Sequence, residues 1–144
     1  MNRYAVLRRK QEQEIHALPI GFAFGNRQFD ELMRHWGFDP EKDLDKIYQL
    51  GDTGGFYKRT DAQLIRDTFH KYEEELQAAI AEDKTGDGFI YEMFLYELDN
   101  HEFGYTQDPE DTLTALGYTT DEVQRDPRLK RGLEKAMKKI NRRG

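Results

Sequence analysis

The amino-acid sequence predicts an α+β fold, in which a mostly helical single domain carries a small antiparallel sheet. Apolar residues recur at helical spacing through most of the 144-residue chain. Three short β-prone runs, at 20–24, 47–50 and 56–59, interrupt this pattern. A chain of this length without a long linker is one ordinary domain, so residues 1–144 are expected to share one buried core.

The element at the centre of this core is predicted from its composition. Between Phe89 and Leu98, only Glu92 and Glu97 are charged. A helix that is apolar on nearly every side has to be buried on nearly every side. Residues 89–100 are therefore predicted to form a central helix around which the other elements pack.

The N-terminal part of the chain begins with a helix and a strand. Residues 3–17 have an amphipathic helical pattern, and Pro19 ends that helix. Ile20, Phe22 and Phe24 then alternate with small residues. This period of two predicts a strand with one heavily apolar face and close packing on its small-residue side.

A second helix and a hairpin follow. Residues 26–37 repeat apolar side chains at helical spacing and end at a glycine. The runs 47–50 and 56–59 flank the glycine-rich turn 51–55, which is typical of a β-hairpin. The hairpin either joins the 20–24 strand in a three-stranded sheet or stands alone on the helices.

The C-terminal half of the chain is predicted to be helical. The longest helix ends at the acidic turn 83–88, after which the central helix begins. Thr119 or Thr120 caps a later, short helix. The last helix, residues 127–141, is basic.

Charge is distributed unevenly along the chain, whose net charge is -6. From Arg125 onward, nine Lys and Arg stand against two Asp and Glu, which gives +7 and leaves -13 for the first 124 residues. A basic helix docked on its own acidic domain explains this division. The alternative is a two-signed surface that steers a charged partner.

The composition excludes several classes of protein. Cysteine is absent, which rules out disulfides, zinc–thiolate sites and thiol catalysis and favours an intracellular protein. No run of about 18 apolar residues is available to span a membrane, and the N-terminal apolar segment is too short for a secretion signal. We therefore expect a cytoplasmic protein.

The acidic turn before the central helix has a motif-like spacing. Asp83, Thr85 and Asp87 stand at positions 1, 3 and 5 of an EF-hand calcium loop. Position 12 should be a bidentate glutamate, but Phe94 occupies it. The favoured interpretation is a glycine-rich turn in which Asp87 caps the helix, and a calcium site is the alternative.

A second candidate site lies on the central helix. Glu97 and His101 are four residues apart, so they share one helix face near Glu92. Buried carboxylates need partners, which other helices ordinarily supply; a metal-dependent enzyme centred on these three residues is an alternative. The aspartic-protease-like tripeptide at 52–54 is explained by the hairpin turn. No phosphate loop or nucleophile elbow occurs, so a binding role is favoured over an enzyme and no cofactor is expected.

A third candidate is a pattern of the helix-turn-helix type at residues 115–125, with a small residue, a Leu-Gly pair and a hydroxyl cap. The basic helix after it would suit phosphate contacts. Against this, the second helix begins with Asp121 and Glu122, which repel phosphate, and Pro127 truncates it. The candidate nucleic-acid contacts are Arg125, Arg128, Lys130, Arg131, Lys135 and Lys138.

Short motifs are spread over most of the chain, at 18–24 (LPIGFAF), 28–29 (QF), 36–37 (WG), 54–56 (GGF), 88–94 (GFIYEMF) and 100–102 (NHE). Together they resemble a family of small uncharacterised proteins carried by phages and mobile elements of gut bacteria. That family has no assigned catalytic residues. The resemblance implies a context in which small acidic proteins often inhibit CRISPR effectors or other defence enzymes of the host.

A functional hypothesis combines this context with the charge. A carboxylate-rich face can occupy the basic channel that a nuclease reserves for nucleic acid. We expect a non-catalytic protein that inhibits a host nucleic-acid-handling protein such as a CRISPR effector, in the cytoplasm of the bacterial host. The alternative is a DNA-binding regulatory protein that uses residues 109–143. The residues expected to contact the partner are Asp52, Asp83, Asp87, Glu92, Glu97, Asp99, His101 and Glu102.

Overall fold

A computed structural model describes residues 1–143 of the chain. The chain is 67% helical and has a small three-stranded antiparallel sheet, so the predicted α+β class is confirmed. The helices are α1 (Arg3–His16), α2 (Asn26–His35), α3 (Ala62–Glu82), α4 (Phe89–Asn100), α5 (Phe103–Thr106), α6 (Glu110–Ala115), α7 (Thr120–Arg125) and α8 (Pro127–Arg143). The strands are β1 (Ile20–Phe22), β2 (Ile47–Leu50) and β3 (Gly55–Lys58).

The chain groups into two compact units. The helical unit contains Met1–Gln11 and the chain from Glu74 onward, and the sheet unit contains Glu12–Glu73. Helices α1 and α3 each begin in one unit and end in the other. The prediction of one domain stays a prediction. Within residues 1–143, no helix is long and apolar enough to cross a membrane.

Helix α4 is the centre of the helical unit, as predicted. Ile90, Met93, Phe94 and Leu98 are each 0% exposed, so this helix is buried over most of its surface. Helix α8 packs closely against it at Gly132, where an added Cβ would lie 2.6 Å from Cγ2 of Ile90. The apolar run of α4 therefore supplies the core on which the basic C-terminal helix docks.

The helices that end the chain agree with the predicted caps and bounds. The amide N–H of Glu122 donates to Oγ1 of Thr119 (3.1 Å), and the amide of Thr119 donates to Oε1 of Glu122 (3.2 Å), which forms a capping box for α7. Of the two predicted caps, Thr119 is therefore the correct one. Helix α8 reaches Arg143, two residues beyond the predicted 141.

Helix α5 is an element that the sequence did not predict. It has a single turn, which is too short to show helical periodicity. Phe103 anchors it in the core at 3% exposure. Glu102 and Gln107, which flank the turn, both have φ of 59° and are the two non-glycine residues with positive φ among residues 1–143. A left-handed backbone at such residues is uncommon and is held by the surrounding contacts.

The sheet unit contains a three-stranded sheet in the order β1-β3-β2, so the hairpin does not stand alone. Helix α2 covers one face, where the rings of Phe29 and Phe56 lie 5.2 Å apart. Gly21 is on this face, and a Cβ there would overlap the side chain of Leu32. The predicted close packing on the small-residue side of β1 is therefore correct. Phe22, the aromatic residue of β1, lies on the other face.

Candidate interaction surface

The 83–88 turn is closed by hydrogen bonds to Asp83. Its Oδ1 accepts from the amides of Thr85 (3.2 Å) and Gly86 (2.9 Å), and its Oδ2 accepts from the amides of Gly88 (3.0 Å) and Ile90 (3.0 Å). Burial raises the pKa of Asp83, but the four amide bonds outweigh burial and hold it below its ordinary value. Both carboxylate oxygens are thus used within the turn. The expectation that Asp87 caps the helix is wrong, because Asp83 does so.

The calcium interpretation depends on ligands that this turn does not bring together. Phe94, at the position of the bidentate glutamate, is 0% exposed in the core. Glu92, two residues earlier, accepts a hydrogen bond from Nε of Arg3 at 2.7 Å. Among residues 1–143, no group of three or more His, Asp or Glu side chains is placed to hold a metal ion. The spacing at 83, 85 and 87 is explained by turn formation.

Several of the predicted partner-binding carboxylates pair with basic residues of the same unit. Nε of Arg131 donates to Oδ1 of Asp87 at 2.7 Å, and Nη1 of Arg143 donates to Oδ2 of Asp99 at 2.9 Å. The hydrogen bond from Arg131 is the main reason that the pKa of Asp87 lies below its ordinary value. Two ion pairs therefore link α8 to α4 and the turn before it, as expected for a basic helix docked on its own acidic domain.

The candidate site at Glu97 and His101 contains a histidine–carboxylate pair. Nε2 of His101 lies 3.7 Å from Oε2 of Glu97, whose side chain is 13% exposed. The hydroxyl of Tyr4 lies near Glu97, and the pKa of Tyr4 is above its ordinary value. Burial is the main cause, Glu97 adds to it, and Arg8 opposes it. Glu92, the third residue predicted for a metal-dependent enzyme, pairs with Arg3, and among residues 1–143 these three side chains are not placed as a group that could hold a metal ion.

The basic residues of the C-terminal segment divide into two groups. Arg128 donates to the backbone carbonyls of Ile80 (3.1 Å) and Asp83 (2.9 Å), and Lys135 lies 4.3 Å from the ring centre of Tyr91. Together with Arg131, these residues hold α8 in place. The second group comprises Arg125, Lys130 and Lys138, whose side chains are exposed. Among residues 1–143, these side chains have no hydrogen-bond or ion-pair partner.

The helix-turn-helix interpretation is disfavoured by the geometry of α7. This helix has six residues, and its first turn carries Asp121 and Glu122. The capping box fixes Glu122 at the helix N-terminus, and Val123 is fully buried. A recognition helix presents its N-terminal residues to base edges, and here those residues would meet phosphate with negative charge.

The two remaining predicted residues are exposed. Asp52 lies in the turn between β2 and β3 of the sheet unit, so it does not belong to the same unit as the other predicted residues. Glu102 lies at the start of α5 in the helical unit.

Residues 85–124 contain no Lys or Arg and ten Asp and Glu, which is a signal that sequence reasoning missed. Six of these carboxylates are exposed and have no cationic partner among residues 1–143, and one of the six, Glu122, belongs to the capping box of α7. The other five, which follow one another along the segment from α5 to α7, are named the acidic surface: Glu102, Asp108, Glu110, Asp111 and Asp121. A search for runs free of basic residues would have found this segment, whereas the search for motifs favoured carboxylates that are now seen in ion pairs.

Tyr105 projects from this segment, and its side chain is 91% exposed. The turn that carries it is held from both sides. Phe103 is buried, and Nε2 of Gln107 donates to Oδ1 of Asn141 (2.8 Å) and to the carbonyl of Phe103 (3.2 Å). A large aromatic side chain on a fixed backbone loses little conformational entropy when it binds.

Fold and surface together describe a small α+β protein with an acidic, tyrosine-bearing surface built from short helices. Residues 3–139 match a family of unknown function, DUF7659, and the chain belongs to this family. No curated protein and no solved structure matches the chain.

Proposed function

We propose that this protein is a non-catalytic binding protein, carried by a phage or mobile element, that inhibits a nucleic-acid-handling protein of the host such as a CRISPR effector. The observation that carries the proposal is the acidic surface, where five exposed carboxylates have no cation to neutralise them. Its partner is a basic surface that otherwise holds nucleic acid.

Charge complementarity supports this choice of partner. A run of 40 residues without a basic side chain produces a negative potential that steers a positively charged protein toward it. The ion pairs of α8 neutralise Asp87 and Asp99, so the negative potential is concentrated on the short helices α5, α6 and α7. A nuclease channel lined by Lys and Arg has the complementary charge.

Tyr105 supports a specific contact in addition to electrostatic attraction. Exposed carboxylates at the rim of an interface mainly affect the association rate, while buried aromatic residues contribute most of the affinity. Tyr105 is 91% exposed and stands between Glu102 and Asp108 in the sequence. It is therefore the residue expected to enter a pocket on the partner.

The direct experiment measures inhibition. A panel of purified CRISPR effector nucleases is assayed for DNA cleavage with the protein added either before or after the DNA. We expect at least one effector to be inhibited when the protein is added first, because the two ligands compete for one basic site. Inhibition that does not depend on the order of addition, or none across the panel and other purified defence nucleases, would contradict the proposal.

Tyr105→Ala tests the specific contact in the same assay. Loss of a central aromatic residue of an interface commonly costs about 2 kcal/mol or more, so the inhibitory concentration should rise by about 30-fold. Val6→Ala is the matched control, since it shortens another exposed apolar side chain of the helical unit. Equal inhibition by both variants would show that Tyr105 does not contact the partner.

One observation favours the alternative of a DNA-binding regulatory protein. Arg125, Lys130 and Lys138 are exposed and have no partner among residues 1–143, so they are available to phosphates. Charge reversal at Lys130 and Lys138 should abolish binding to duplex DNA at low salt if this role is correct. It should leave nuclease inhibition unchanged if the acidic surface acts.

A further inference from the structure

The sheet unit exposes aromatic side chains because of the orientation of β1 and the residues directly after it. Large apolar side chains of an amphipathic strand ordinarily face the core. Here the small residues do so: Ala23 is 7% exposed and Gly21 packs on Leu32. Phe22 and Phe24 are 46% and 75% exposed. Two phenylalanines are thus held in water at the expense of favourable burial, and exposed apolar patches of this kind mark interaction sites.

The two rings form a supported platform. Their planes are within 13° of parallel, with ring centres 6.4 Å apart. Gly54 lies beneath Phe24, and a Cβ at this position would overlap the ring. The backbone is fixed on both sides, because Phe24 donates its amide to Gln28 (2.8 Å) and Ala23 donates its amide to the carbonyl of Gly54 (2.9 Å). One side of the Phe24 ring is therefore supported while most of its surface remains open to a ligand.

The same sheet face extends across the other strands. The register places Ile20, Tyr57 and Tyr48 in one cross-strand row, with the rings of Tyr57 and Tyr48 5.7 Å apart. Tyr48 is 36% exposed, and the guanidinium of Arg59 lies 5.2 Å from its ring centre. The face thus offers aromatic rings and one guanidinium. We call Phe22, Phe24, Tyr48 and Arg59 the aromatic face.

The size of the aromatic face favours a short ligand segment over a second copy of the chain. With about 200 Å² for each aromatic side chain, the exposed fractions leave about 300 Å² of apolar surface. A stable dimer buries about 800 Å² on each partner. Two chains with a net charge of -6 also repel each other.

The charge of the sheet unit argues against nucleic acid as the ligand. Residues 12–73 hold twelve Asp and Glu against eight Lys and Arg, a net charge of -4. Single-strand-binding proteins combine stacking rings with a positively charged groove. The aromatic face has the rings and a single cation, Arg59, which matches one carboxylate of a ligand better than a chain of phosphates.

We propose that the aromatic face binds a short segment of a partner protein in which a proline or aromatic residue lies next to an acidic residue. Phe22 and Phe24 contact the apolar residue, and Arg59 pairs with the carboxylate. This inference goes beyond the inhibitory role, since it concerns the sheet unit and a different surface chemistry. Its test does not depend on whether the acidic surface binds a nuclease.

The test uses the full chain as bait for phage-displayed random peptides of about twelve residues, which can present the paired apolar and acidic residues in many sequence contexts. Enriched peptides are synthesised and their Kd is measured by fluorescence anisotropy. We expect a shared proline or aromatic residue beside Asp or Glu. Affinity should fall by about tenfold or more in Phe24→Ala and in Arg59→Gln. Phe24 is mostly exposed, so its replacement should preserve the fold, which the melting temperature checks.

Leu64→Ala is the matched control, since Leu64 is an exposed apolar side chain of the same unit outside the aromatic face. Absence of enriched peptides, or peptides that bind Phe24→Ala as well as the unaltered protein, would overturn the proposal. Two further results would overturn it in favour of another ligand. One is binding of a labelled oligothymidine that Phe24→Ala abolishes; the other is a dimer in sedimentation that Phe24→Ala dissociates.

Discussion

Gly86 illustrates how single residues fix the helical unit. Its φ is +91°, and a Cβ there would overlap the backbone carbonyl oxygen of Arg128. Gly86→Ala therefore adds backbone strain of about 1–2 kcal/mol to a clash with rigid main chain. We expect the free energy of unfolding in denaturant to fall by about 2–5 kcal/mol, the sum of strain and overpacking.

Gly117 provides the control for this prediction. Its φ of +81° is similar, but no atom lies within 4 Å of the position of an added Cβ. Gly117→Ala should therefore cost only the backbone strain, about 1–2 kcal/mol. Equal losses in the two variants would show that the approach of Arg128 to the turn does not constrain stability.

The lowered pKa of Asp83 predicts that its contribution to the stability of the fold depends on pH. Its pKa in the folded protein lies below the ordinary value because four amides donate to the carboxylate. A lowered pKa contributes stability above the unfolded-state value of about 4, and this contribution is lost as the pH falls through the folded-state pKa. Asp83→Asn should therefore lower the melting temperature at pH 7, and the difference should shrink as the pH falls below about 4. A difference that is constant with pH would show that the charge of Asp83 is not responsible.

At the scale of the element, the capping box of α7 gives a measurable difference between adjacent threonines. Thr119→Ala removes the side chain that accepts the amide of Glu122 and should cost about 1 kcal/mol in the free energy of unfolding. Thr120→Ala, at the first helical position, should cost less. If both substitutions had the same effect, the cap would not be a stabilising interaction.

Long elements with a clear apolar period were predicted correctly from the sequence, and the shortest helix was not. The apolar run 89–98 predicted α4 and its burial, since a long run restricts the choice to a buried helix. The single turn of α5 was missed because it is stabilised by tertiary contacts of Phe103 and Gln107. For β1, alternation predicted the strand but could not show that its phenylalanines face solvent, because that depends on where α2 packs.

At the scale of the whole molecule, the sequence predicted the signs of charge but not their pairing. The acidic body and basic tail were evident from residue counts. The carboxylates chosen as contacts, such as Asp87, Glu92 and Asp99, are instead engaged with Arg131, Arg3 and Arg143. Ion pairs between residues about 44 to 89 positions apart depend on the packed arrangement of helices. The absence of Lys and Arg could have identified the segment 85–124 from the sequence, but which of its carboxylates lack a cationic partner became known only with these pairs.

The effect of local charge on binding can be measured separately from the effect of net charge, because the chain has two sets of five exposed acidic residues. In one variant, the acidic surface is neutralised with Glu102→Gln, Asp108→Asn, Glu110→Gln, Asp111→Asn and Asp121→Asn. In the control variant, five exposed carboxylates elsewhere are neutralised with Glu12→Gln, Glu31→Gln, Glu41→Gln, Asp67→Asn and Glu82→Gln. Both variants have the same net charge.

The decisive measurement is the Kd of both variants for the inhibited effector at low and physiological salt. We expect the acidic-surface variant to bind about 100-fold more weakly at low salt and to lose most of its salt dependence, because a local charge pattern directs the contact. The control variant should stay within about threefold of the unaltered protein. If the two variants weaken equally, net charge alone explains binding; if neither weakens, the acidic surface is not the binding site.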